Sequence, residues 1–267
     1  MPPVDLSIPL PISREAMPRH VAMIMDGNGR WAKLRGRPRV FGHKHGAERV
    51  REIVEQAGKW GVEILTLYAF SDENWKRPSD EVGVIMHLLE HYLRKEREDL
   101  NKKNVKFHII GDLSKLSPKL RSLMEETRDL LAKNTGLTLN VALSYGARAE
   151  ITRAMTSIAE KVAAGEVKPS EINQAMIAEH LDTSGLPDPD LVIRTSGEQR
   201  ISNFLLWQAA YSEFYFTPVL WPDFTKLEFA KALEAYESRE RRFGMTSAQV
   251  VAPPNRAQGL SEGLNQC

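Results

Sequence analysis

The sequence predicts an α/β protein, a single domain with a central parallel sheet surrounded by helices. Short apolar runs typical of buried strands alternate with longer segments in which apolar residues recur at helical spacing. Charged and polar residues follow directly after the strands, at the place where an open parallel sheet carries its site. No linker interrupts this alternation, so the 267 residues are expected to form one domain instead of two.

The strands are expected at short apolar runs, the first five of which end next to Gly, Asp, Ser or Arg. In chain order they cover 21–25, 64–70, 105–110, 137–143, 191–193 and 211–216. Most are apolar on successive residues instead of alternating ones, as in a sheet with both faces covered.

The helices are expected where apolar residues lie three or four positions apart. In chain order they cover 47–60, 82–93, 118–132, 147–164 and 227–243. Gly61 favours a left-handed residue at the end of the first of them, and a further short helix is expected to begin near Trp31.

The two ends of the chain differ in composition from the part between them. Residues 1–17 hold repeated prolines and are expected to form an extended arm. Residues 245–267 are rich in Gly, Pro, Ser, Gln and Asn and are expected to be mobile, which leaves the domain over 18–244. We find neither a secretory signal pattern nor an apolar run of the ~20 residues that span a bilayer.

Charge and cysteine content narrow the class of function. Lys plus Arg number 36 and Asp plus Glu number 35, a net charge of +1, which argues against a whole surface built to bind nucleic acid. The single cysteine, Cys267, cannot form a disulfide framework or a cysteine-rich metal site. It fits a reducing, cytoplasmic compartment.

The first strand is followed by a basic segment with one acid at its start. Between Gly27 and Ala47 there are six Lys or Arg residues, two His and no acid, directly after Asp26. A solvated basic turn is one interpretation. The other is a phosphate cradle, because Gly27 and Gly29 allow backbone N–H groups to approach an anion at a helix start.

Two nucleotide-binding motifs can be compared with this segment. Its glycines are not followed by the Lys-Ser/Thr pair of a P-loop. Gly27-x-Gly29-x-x-Ala32 fits a loose dinucleotide fingerprint, but the acid expected about 20 residues further on falls inside a helix. Asp26 favours a different ligand, since a carboxylate beside a diphosphate needs a bridging cation, usually Mg²⁺.

Two later loops carry further candidate residues. A capped helix start explains Ser79 to Glu81 well, but it explains Asn74, Trp75 and Arg77 less well. Arg194 ends the fifth strand and could form surface ion pairs with three nearby acids, Asp188, Asp190 and Glu198. The alternative is a second anion site, and two diphosphate sites that share one metal would suit a reaction that joins two diphosphates.

The long helix over 82–93 is apolar over more than half of its circumference. Burial in the core is one explanation. The other is that its second face lines a tunnel for a lipid chain.

Together these motifs resemble the cis-prenyltransferase family, in particular its bacterial undecaprenyl diphosphate synthases (isoprenyl transferases). The matching stretches lie between residues 17 and 244, at 20–32, 42–46, 67–71, 73–78, 190–198, 200–207, 215–216 and 220–224. Asp72 departs from the pattern, because the family more often has Ser there.

The resemblance implies a homodimer with a hydrophobic tunnel in each subunit. It also implies Mg²⁺-dependent extension of farnesyl diphosphate by successive cis additions of isopentenyl diphosphate. The expected product is undecaprenyl diphosphate, the precursor of the lipid carrier for cell-wall glycans. Such an enzyme is expected in the cytoplasm, with transient contact at the inner face of the membrane for product release and no nucleic-acid partner.

The resemblance also assigns roles by position. Catalysis would involve Asp26 and Asn74, and the metal would be associated with Asp26 and Glu213. The allylic diphosphate and its first isoprene unit would contact Gly27, Asn28, Gly29, Arg30, Trp31, Arg39 and His43. The condensation site would be bordered by Ser71, Asp72, Glu73, Trp75 and Arg77. Isopentenyl diphosphate would be held by Arg194, Arg200, Ile201 and Ser202. The partner subunit's site would be reached by Arg242 and Gly244, and the tunnel lined by Ala69 and Leu137.

Two other functions stay open at this point. One is a non-catalytic partner subunit of the same family, which would depart from the pattern in the first loop. The other is the dinucleotide oxidoreductase. The trans class of prenyl synthases is disfavoured, because its Asp-Asp-x-x-Asp motifs are absent from this sequence.

Overall fold

A computed structural model of the chain describes residues 9–239 and contains one six-stranded sheet. The strands are β1 His20–Ile24, β2 Ile64–Ser71, β3 Lys106–Ile110, β4 Thr138–Tyr145, β5 Leu191–Arg194 and β6 Glu213–Phe216. Their order is β3-β4-β2-β1-β5-β6, and every neighbouring pair is parallel. The predicted α/β class and parallel sheet are confirmed.

Seven α-helices connect or flank these strands in the described part of the chain. They are α1 Asn28–Leu34, α2 Arg39–Trp60, α3 Ser79–Lys102, α4 Pro118–Leu131, α5 Ala147–Ala163, α6 Gln174–Glu179 and α7 Lys226–Glu237. The sequence pattern did not predict α6. The helix expected over 227–243 ends at Glu237 in the structure, and residues 240–243 lie outside the described residues.

The long helix α3 differs from the predicted helix in two details. It has 24 residues instead of the predicted 12, because charged residues continue it past the apolar stretch. Ion pairs one turn apart support that extension, such as Arg94 with Glu90 at 3.2 Å. At the other end, Pro78 occupies the cap position and Ser79 is already helical, so Ser79 is not the capping residue.

The sheet is covered on both faces. In β1 all five residues are buried, and the four apolar ones alternate between two apolar clusters. Val21 and Met23 belong to the larger cluster, which includes side chains of α2, α4 and α7. Ala22 and Ile24 belong to the smaller cluster on the other face. This explains why the strands are continuously apolar in sequence.

The described part of the expected amino-terminal arm is folded against this core. Residues 14–16 form a turn, and the Ile12 side chain is buried in the larger apolar cluster. Residues 1–8 lie outside the described part, as does the expected mobile tail over 245–267.

Candidate active site

The central strands β2, β1 and β5 bring three predicted loops to the same edge of the sheet. Asp26 follows β1, Ser71 ends β2, and Arg194 ends β5. Arg194 and Asp26 make direct contact, with 3.0 Å between Arg194 Nη2 and Asp26 Oδ2. The expected convergence of charged residues at the carboxyl ends of the strands is therefore present.

Arg194 is 4% exposed, so it is not the surface ion-pairing residue that one interpretation suggested. Its acid partner is Asp26, and its Nη1 donates to Ser202 Oγ at 2.7 Å and to the Arg200 carbonyl. Arg200 itself is more exposed and pairs with Glu198. A buried guanidinium that reaches both Asp26 and Ser202 fixes the relative positions of the first and last loops.

The loop 200–205 that receives Arg194 has an unusual backbone. Ser202, Asn203 and Leu205 have positive φ angles of 49°, 61° and 46°. Ile201 precedes them, half-buried, and accepts a hydrogen bond from the Phe204 N–H. The tight turn directs the Ser202 hydroxyl toward Arg194, as a second anion site beside Asp26 would need.

Asp26 faces a second arginine from its own loop. Arg30 Nη2 lies 3.4 Å from Asp26 Oδ2, and Arg30 also bonds Ser196 and Glu198. Partial burial acts to raise the pKa of the Asp26 carboxyl. Hydrogen bonds from Arg194 and Ser196 and the charges of both arginines outweigh burial and hold the pKa below its usual value. Asp26 is therefore a carboxylate throughout the neutral range.

Ser196 was not among the predicted site residues. It has a positive φ of 81° and its hydroxyl accepts a hydrogen bond from Arg30 Nη2. A serine in a Thr-Ser-Gly turn directly after a strand was the available sequence signal.

The backbone of the first loop is arranged by glycines. Gly27 has a φ of 108°, a conformation that favours glycine, and α1 begins at the next residue, Asn28. A side chain at Gly29 would meet the Arg39 guanidinium at 2.8 Å. The backbone of this short turn therefore has no room for side chains at Gly27 and Gly29, which is consistent with the phosphate-cradle interpretation.

The glycines Gly42 and Gly46 let α2 cross α1 at very short range. A Cβ at Gly42 would lie 1.9 Å from the Asn28 carbonyl oxygen, and a Cβ at Gly46 would lie 2.2 Å from Asn28 Oδ1. Neither contact is compatible with a side chain. The Gly-His-Lys-His-Gly spacing therefore serves the packing of α2 on the cradle helix.

Glu81 connects three of the predicted substrate-binding residues, although the sequence pattern indicated only a role at the start of a helix. Its carboxylate lies 3.0 Å from Arg39 Nε, 3.1 Å from Arg77 Nη1 and 3.6 Å from His43 Nε2. Burial acts to raise the pKa of Glu81, but the hydrogen bond and charge of Arg39, with Arg77, lower it overall. Burial and the nearby Arg77 lower the pKa of His43, which favours a neutral imidazole.

Trp31 lies in α1, within the same basic segment. Its indole N–H donates to Asp223 Oδ1 at 2.7 Å, and the Arg35 guanidinium lies 3.9 Å above its ring. The ring is buried, next to Phe41.

The loop after β2 forms a short 3₁₀ turn, Asp72–Lys76. Asn74 Oδ1 accepts a hydrogen bond from the Ser71 N–H at 3.2 Å, and the Trp75 indole donates to Ser144 Oγ at 2.9 Å. Asp72, the departure from the family pattern, pairs with Lys115 at 2.5 Å. Its extra negative charge therefore has a cationic partner.

Asn203 is a second residue that the sequence did not single out. Its side-chain amide donates to Glu73 at 2.8 Å and its Oδ1 accepts from the Arg148 N–H at 2.9 Å. Burial acts to raise the pKa of Glu73, and the Asn203 hydrogen bond is the main opposing contribution, leaving it lowered. Asn203 thereby connects the loop after β2 with the loop that carries Ser202.

An apolar cavity of about 590 Å³ opens beside these loops. It begins near Asn28 and His43 and runs between α2, α3 and the sheet toward Asn104. Ala69 and Leu137 both lie in its wall, at the positions predicted for a tunnel. Such a volume is typical of a site that encloses a ligand.

The second apolar face of α3 is explained by this cavity. Only Leu93 of α3 is buried, whereas Ile85, Leu88, Leu89 and Tyr92 line the cavity and are half-buried. The structure therefore favours the tunnel over simple core burial for this face.

Glu213 lies at the opposite end of the sheet from Asp26 within one chain. It pairs in register with Leu191, which in turn pairs with Val21, five residues before Asp26. At about 3.3 Å per strand residue, that is a separation of roughly 16 Å along the strands. Its carboxylate bonds Arg239 at 2.8 Å. The predicted dimer residues Arg242 and Gly244 lie outside the described residues.

The fold and site define a class of protein: an α/β protein in which arginines from the first and fifth strand loops meet at Asp26, next to an apolar cavity. The model of a family described as "Putative undecaprenyl diphosphate synthase" matches residues 24–244. The chain belongs to this family of prenyltransferases.

Two relatives match nearly the whole chain. An isoprenyl transferase of Agrobacterium fabrum is 56% identical over 239 residues, 90% of this chain and 97% of the relative. A ditrans,polycis-undecaprenyl-diphosphate synthase ((2E,6E)-farnesyl-diphosphate specific) of Vibrio cholerae is 48% identical, covering 91% and 97%.

Solved structures show the same fold. Lavandulyl diphosphate synthase from Lavandula x intermedia, in complex with dimethylallyl diphosphate, superposes with a TM-score of 0.84 and is 39% identical. The match covers 86% of this chain and 99% of that one. A probable undecaprenyl diphosphate synthase from Campylobacter jejuni gives a TM-score of 0.71 at 36% identity, covering 85% and 99%.

Proposed function

We propose that this prenyltransferase extends farnesyl diphosphate by successive cis additions of isopentenyl diphosphate, with Mg²⁺, to undecaprenyl diphosphate. The proposal rests on the position of Asp26, which lies between Arg30 and Arg194 at the mouth of a 590 Å³ apolar cavity. The name of the Vibrio cholerae relative supports the choice of farnesyl diphosphate and of the product.

The donor groups around Asp26 fit a magnesium ion that is held largely by substrate. Mg²⁺ prefers one or two carboxylates together with substrate phosphates. Asp26 is ionised, its side chain is 33% exposed, and both arginines contact the same oxygen, Oδ2. Within residues 9–239 no group of three His, Cys, Asp or Glu side chains could hold a metal, so phosphate oxygens would supply the remaining ligands.

The two anion sites would hold the two substrates. The turn from Gly27 to Arg30, together with Arg39, would hold the allylic diphosphate, while Arg194 and the exposed Arg200 would hold isopentenyl diphosphate. Bound Mg²⁺ would offset negative charge on the leaving diphosphate. As the allylic C–O bond breaks, that charge grows, so the arginines stabilise the transition state more than the ground state.

Chain growth would then take place at the 71–77 loop. A new C–C bond would form between the allylic carbon and the double bond of isopentenyl diphosphate, and the proton that the latter loses would pass to the released diphosphate. Asn74 and Ser71, joined by their hydrogen bond, would lie beside that proton. The lowered pKa of His43 favours a neutral imidazole, so the arginines would supply the positive charge of the site.

The cavity would receive the growing chain. Exposing apolar carbon to water costs about 0.8 kcal/mol per CH₂, or roughly 4 kcal/mol for each five-carbon unit. A cavity lined by Ala69, Leu137 and the half-buried face of α3 removes this cost. Its far end, at Asn104 and Gly136, would limit product length.

A homodimer is part of the proposal, and the described residues offer a surface for it. β6 is an edge strand; its last residue, Phe216, and Tyr211, which precedes the strand, are exposed. Exposed aromatic residues at a strand edge are typical of interfaces. Sedimentation analysis that finds a monomer at micromolar concentration would contradict this part.

The function is tested by replacing Asp26 with a matched control. Asp26→Ala is expected to abolish condensation, at least 100-fold, without unfolding the protein, because Asp26 lies in a loop. Asp112 also follows a strand of the same sheet, but it only caps a short turn. Asp112→Ala should therefore remain active. Turnover retained in Asp26→Ala, or full activity in excess EDTA, would contradict the assignment.

A further inference from the structure

The connection between α1 and α2 forms an exposed basic and apolar surface, which we name the α1–α2 tip, residues 33–41. All nine of its residues are exposed. They include four Lys or Arg residues and no acid. Three are large apolar residues, and Leu34 is 77% exposed, more than any other large apolar side chain in the described part of the chain.

The charges of the tip are only partly paired within the structure. Arg35 lies 3.3 Å from Asp223, and Arg39 lies 3.0 Å from Glu81. Within residues 9–239, Lys33 and Arg37 have no acidic side chain within ion-pairing distance. The Arg37 guanidinium instead lies 5.5 Å from the ring of Phe41. Unpaired cations thus flank exposed apolar side chains.

The tip is held in place by contacts with the domain. The Arg37 N–H donates to the Ala32 carbonyl at 2.9 Å, and the Phe41 ring packs on Trp31 and on His45, at centroid distances of 5.9 and 4.5 Å. Trp31 is buried. The surface is therefore preformed and would need little ordering to bind a partner.

The tip also adjoins the entrance of the apolar cavity. Asn28 of α1 and His43 of α2 line the cavity, and the tip connects those two helices. A surface docked at the tip would lie next to the entrance.

We propose that the α1–α2 tip is a docking surface for an anionic lipid bilayer. The inference rests on the proposed function, because a product with its diphosphate at the entrance and its chain in the cavity could leave directly into a bilayer at the tip. Lys33 and Arg37 would meet the acidic head groups while Leu34 and Val40 enter the interfacial region. A nucleic acid would bind the cations of the tip but would not bury Leu34 and Val40.

The experiment measures binding of the substrate-free full chain to sedimented vesicles. Wild-type protein is expected to bind phosphatidylglycerol/phosphatidylcholine vesicles and to bind pure phosphatidylcholine much more weakly. Each cation is expected to contribute about five-fold, so Lys33→Gln/Arg37→Gln should bind roughly 25-fold more weakly. Leu34→Ser should also weaken binding, about five-fold or more.

A matched control carries the same change in net charge elsewhere. Lys133 and Lys168 are exposed and, within residues 9–239, have no acidic side chain at ion-pairing distance. Lys133→Gln/Lys168→Gln should bind anionic vesicles within two-fold of wild type. Equal losses in the two double variants, equal binding to neutral and anionic vesicles, or no binding by wild type would each overturn the proposal. So would an unchanged affinity in Leu34→Ser, which is the result expected if the tip is a nucleic-acid site.

The outcome is separable from that of the proposed function. Condensation of water-soluble substrates without vesicles is measured in parallel on wild-type protein. Vesicle binding that follows these predictions in a protein without condensing activity would contradict the proposed function and support the docking surface. Active protein that fails to bind would overturn the docking surface alone.

Discussion

Gly42 is the position where a single methyl group is expected to disturb the candidate active site most directly. Its Cβ would lie 1.9 Å from the Asn28 carbonyl oxygen and 3.3 Å from the Ala32 Cβ. The first neighbour is backbone of α1, so relief requires α1 to move away from α2. Because α1 begins in the proposed diphosphate cradle, Gly42→Ala should affect both stability and binding.

The size of the effect follows from two opposing contributions. Overpacking costs typically 1–3 kcal/mol, and a backbone collision belongs to the upper part of that range. Replacing glycine by alanine inside a helix stabilises the folded state by about 1 kcal/mol. The net loss is about 2 kcal/mol, which for a domain of this size lowers the melting temperature by about 4–8 °C.

Gly83→Ala is the matched control. Gly83 also lies inside a helix, α3, and a Cβ there would meet nothing within 4 Å. It should raise the melting temperature by about 2–4 °C, since only the propensity gain remains. Thermal unfolding of both variants and the KM for farnesyl diphosphate are measured together, and only Gly42→Ala should raise KM. Equal melting temperatures in the two variants would refute the packing argument.

Three further predictions concern the cavity, the loop linkage and pH. A Cβ at Gly58 would lie 3.8 Å from the Leu137 Cβ, so Gly58→Ala narrows the cavity. The products should become shorter. An unchanged product distribution would show that this wall of the cavity does not control chain length. Asn203→Ala removes the bond to Glu73 and should raise KM for isopentenyl diphosphate about ten-fold, with a smaller effect on farnesyl diphosphate; equal changes for both would contradict the linkage. Burial lowers the pKa of His20, and this effect outweighs the hydrogen bond to the Pro187 carbonyl, which acts to raise it. Below about pH 6.5 the unfolded chain therefore takes up a proton at His20 that the folded state does not. The urea-unfolding free energy should therefore fall between pH 7.5 and 5.5, and His20→Gln should show a smaller fall; identical slopes would be the contrary result.

Local pattern predicted the strands well because both faces of the sheet are buried. The runs at 21–25 and 64–70 are within one residue of β1 and β2 at each end, whereas the run 137–143 ends two residues before β4 and the run 211–216 begins two residues before β6. Helix ends were predicted less well. The extension of α3 to Lys102 depends on ion pairs and on contact with neighbouring helices, which an apolar pattern does not register.

In the candidate site, too, local motifs predicted the individual residues but not the contacts that depend on long-range packing. Motifs and spacing identified Asp26, Arg30 and Arg194 as separate candidates in loops that share an edge. That Arg194 is the partner of Asp26 depends on β5 lying beside β1, a long-range pairing that no local pattern contains. Glu81 was likewise understood only as a helix-start acid, because its contacts with Arg39 and Arg77 require α3 to pack beside α2.

The volume of the cavity could not be obtained from sequence. The sequence showed that α3 is apolar on too many sides for a surface helix, which allowed either core or tunnel. Which of the two applies is decided by how far α3 stands from the sheet, and that distance depends on the packing of α2 and α4 as well.

The most direct test of the account is incubation of the full chain with farnesyl diphosphate, isopentenyl diphosphate and Mg²⁺, followed by chain-length analysis of the products. Successive five-carbon additions that end near eleven isoprene units are expected of the wild-type chain, and no additions are expected of Asp26→Ala. Absence of any elongation by the wild-type chain, or equal elongation by Asp26→Ala, would contradict the account.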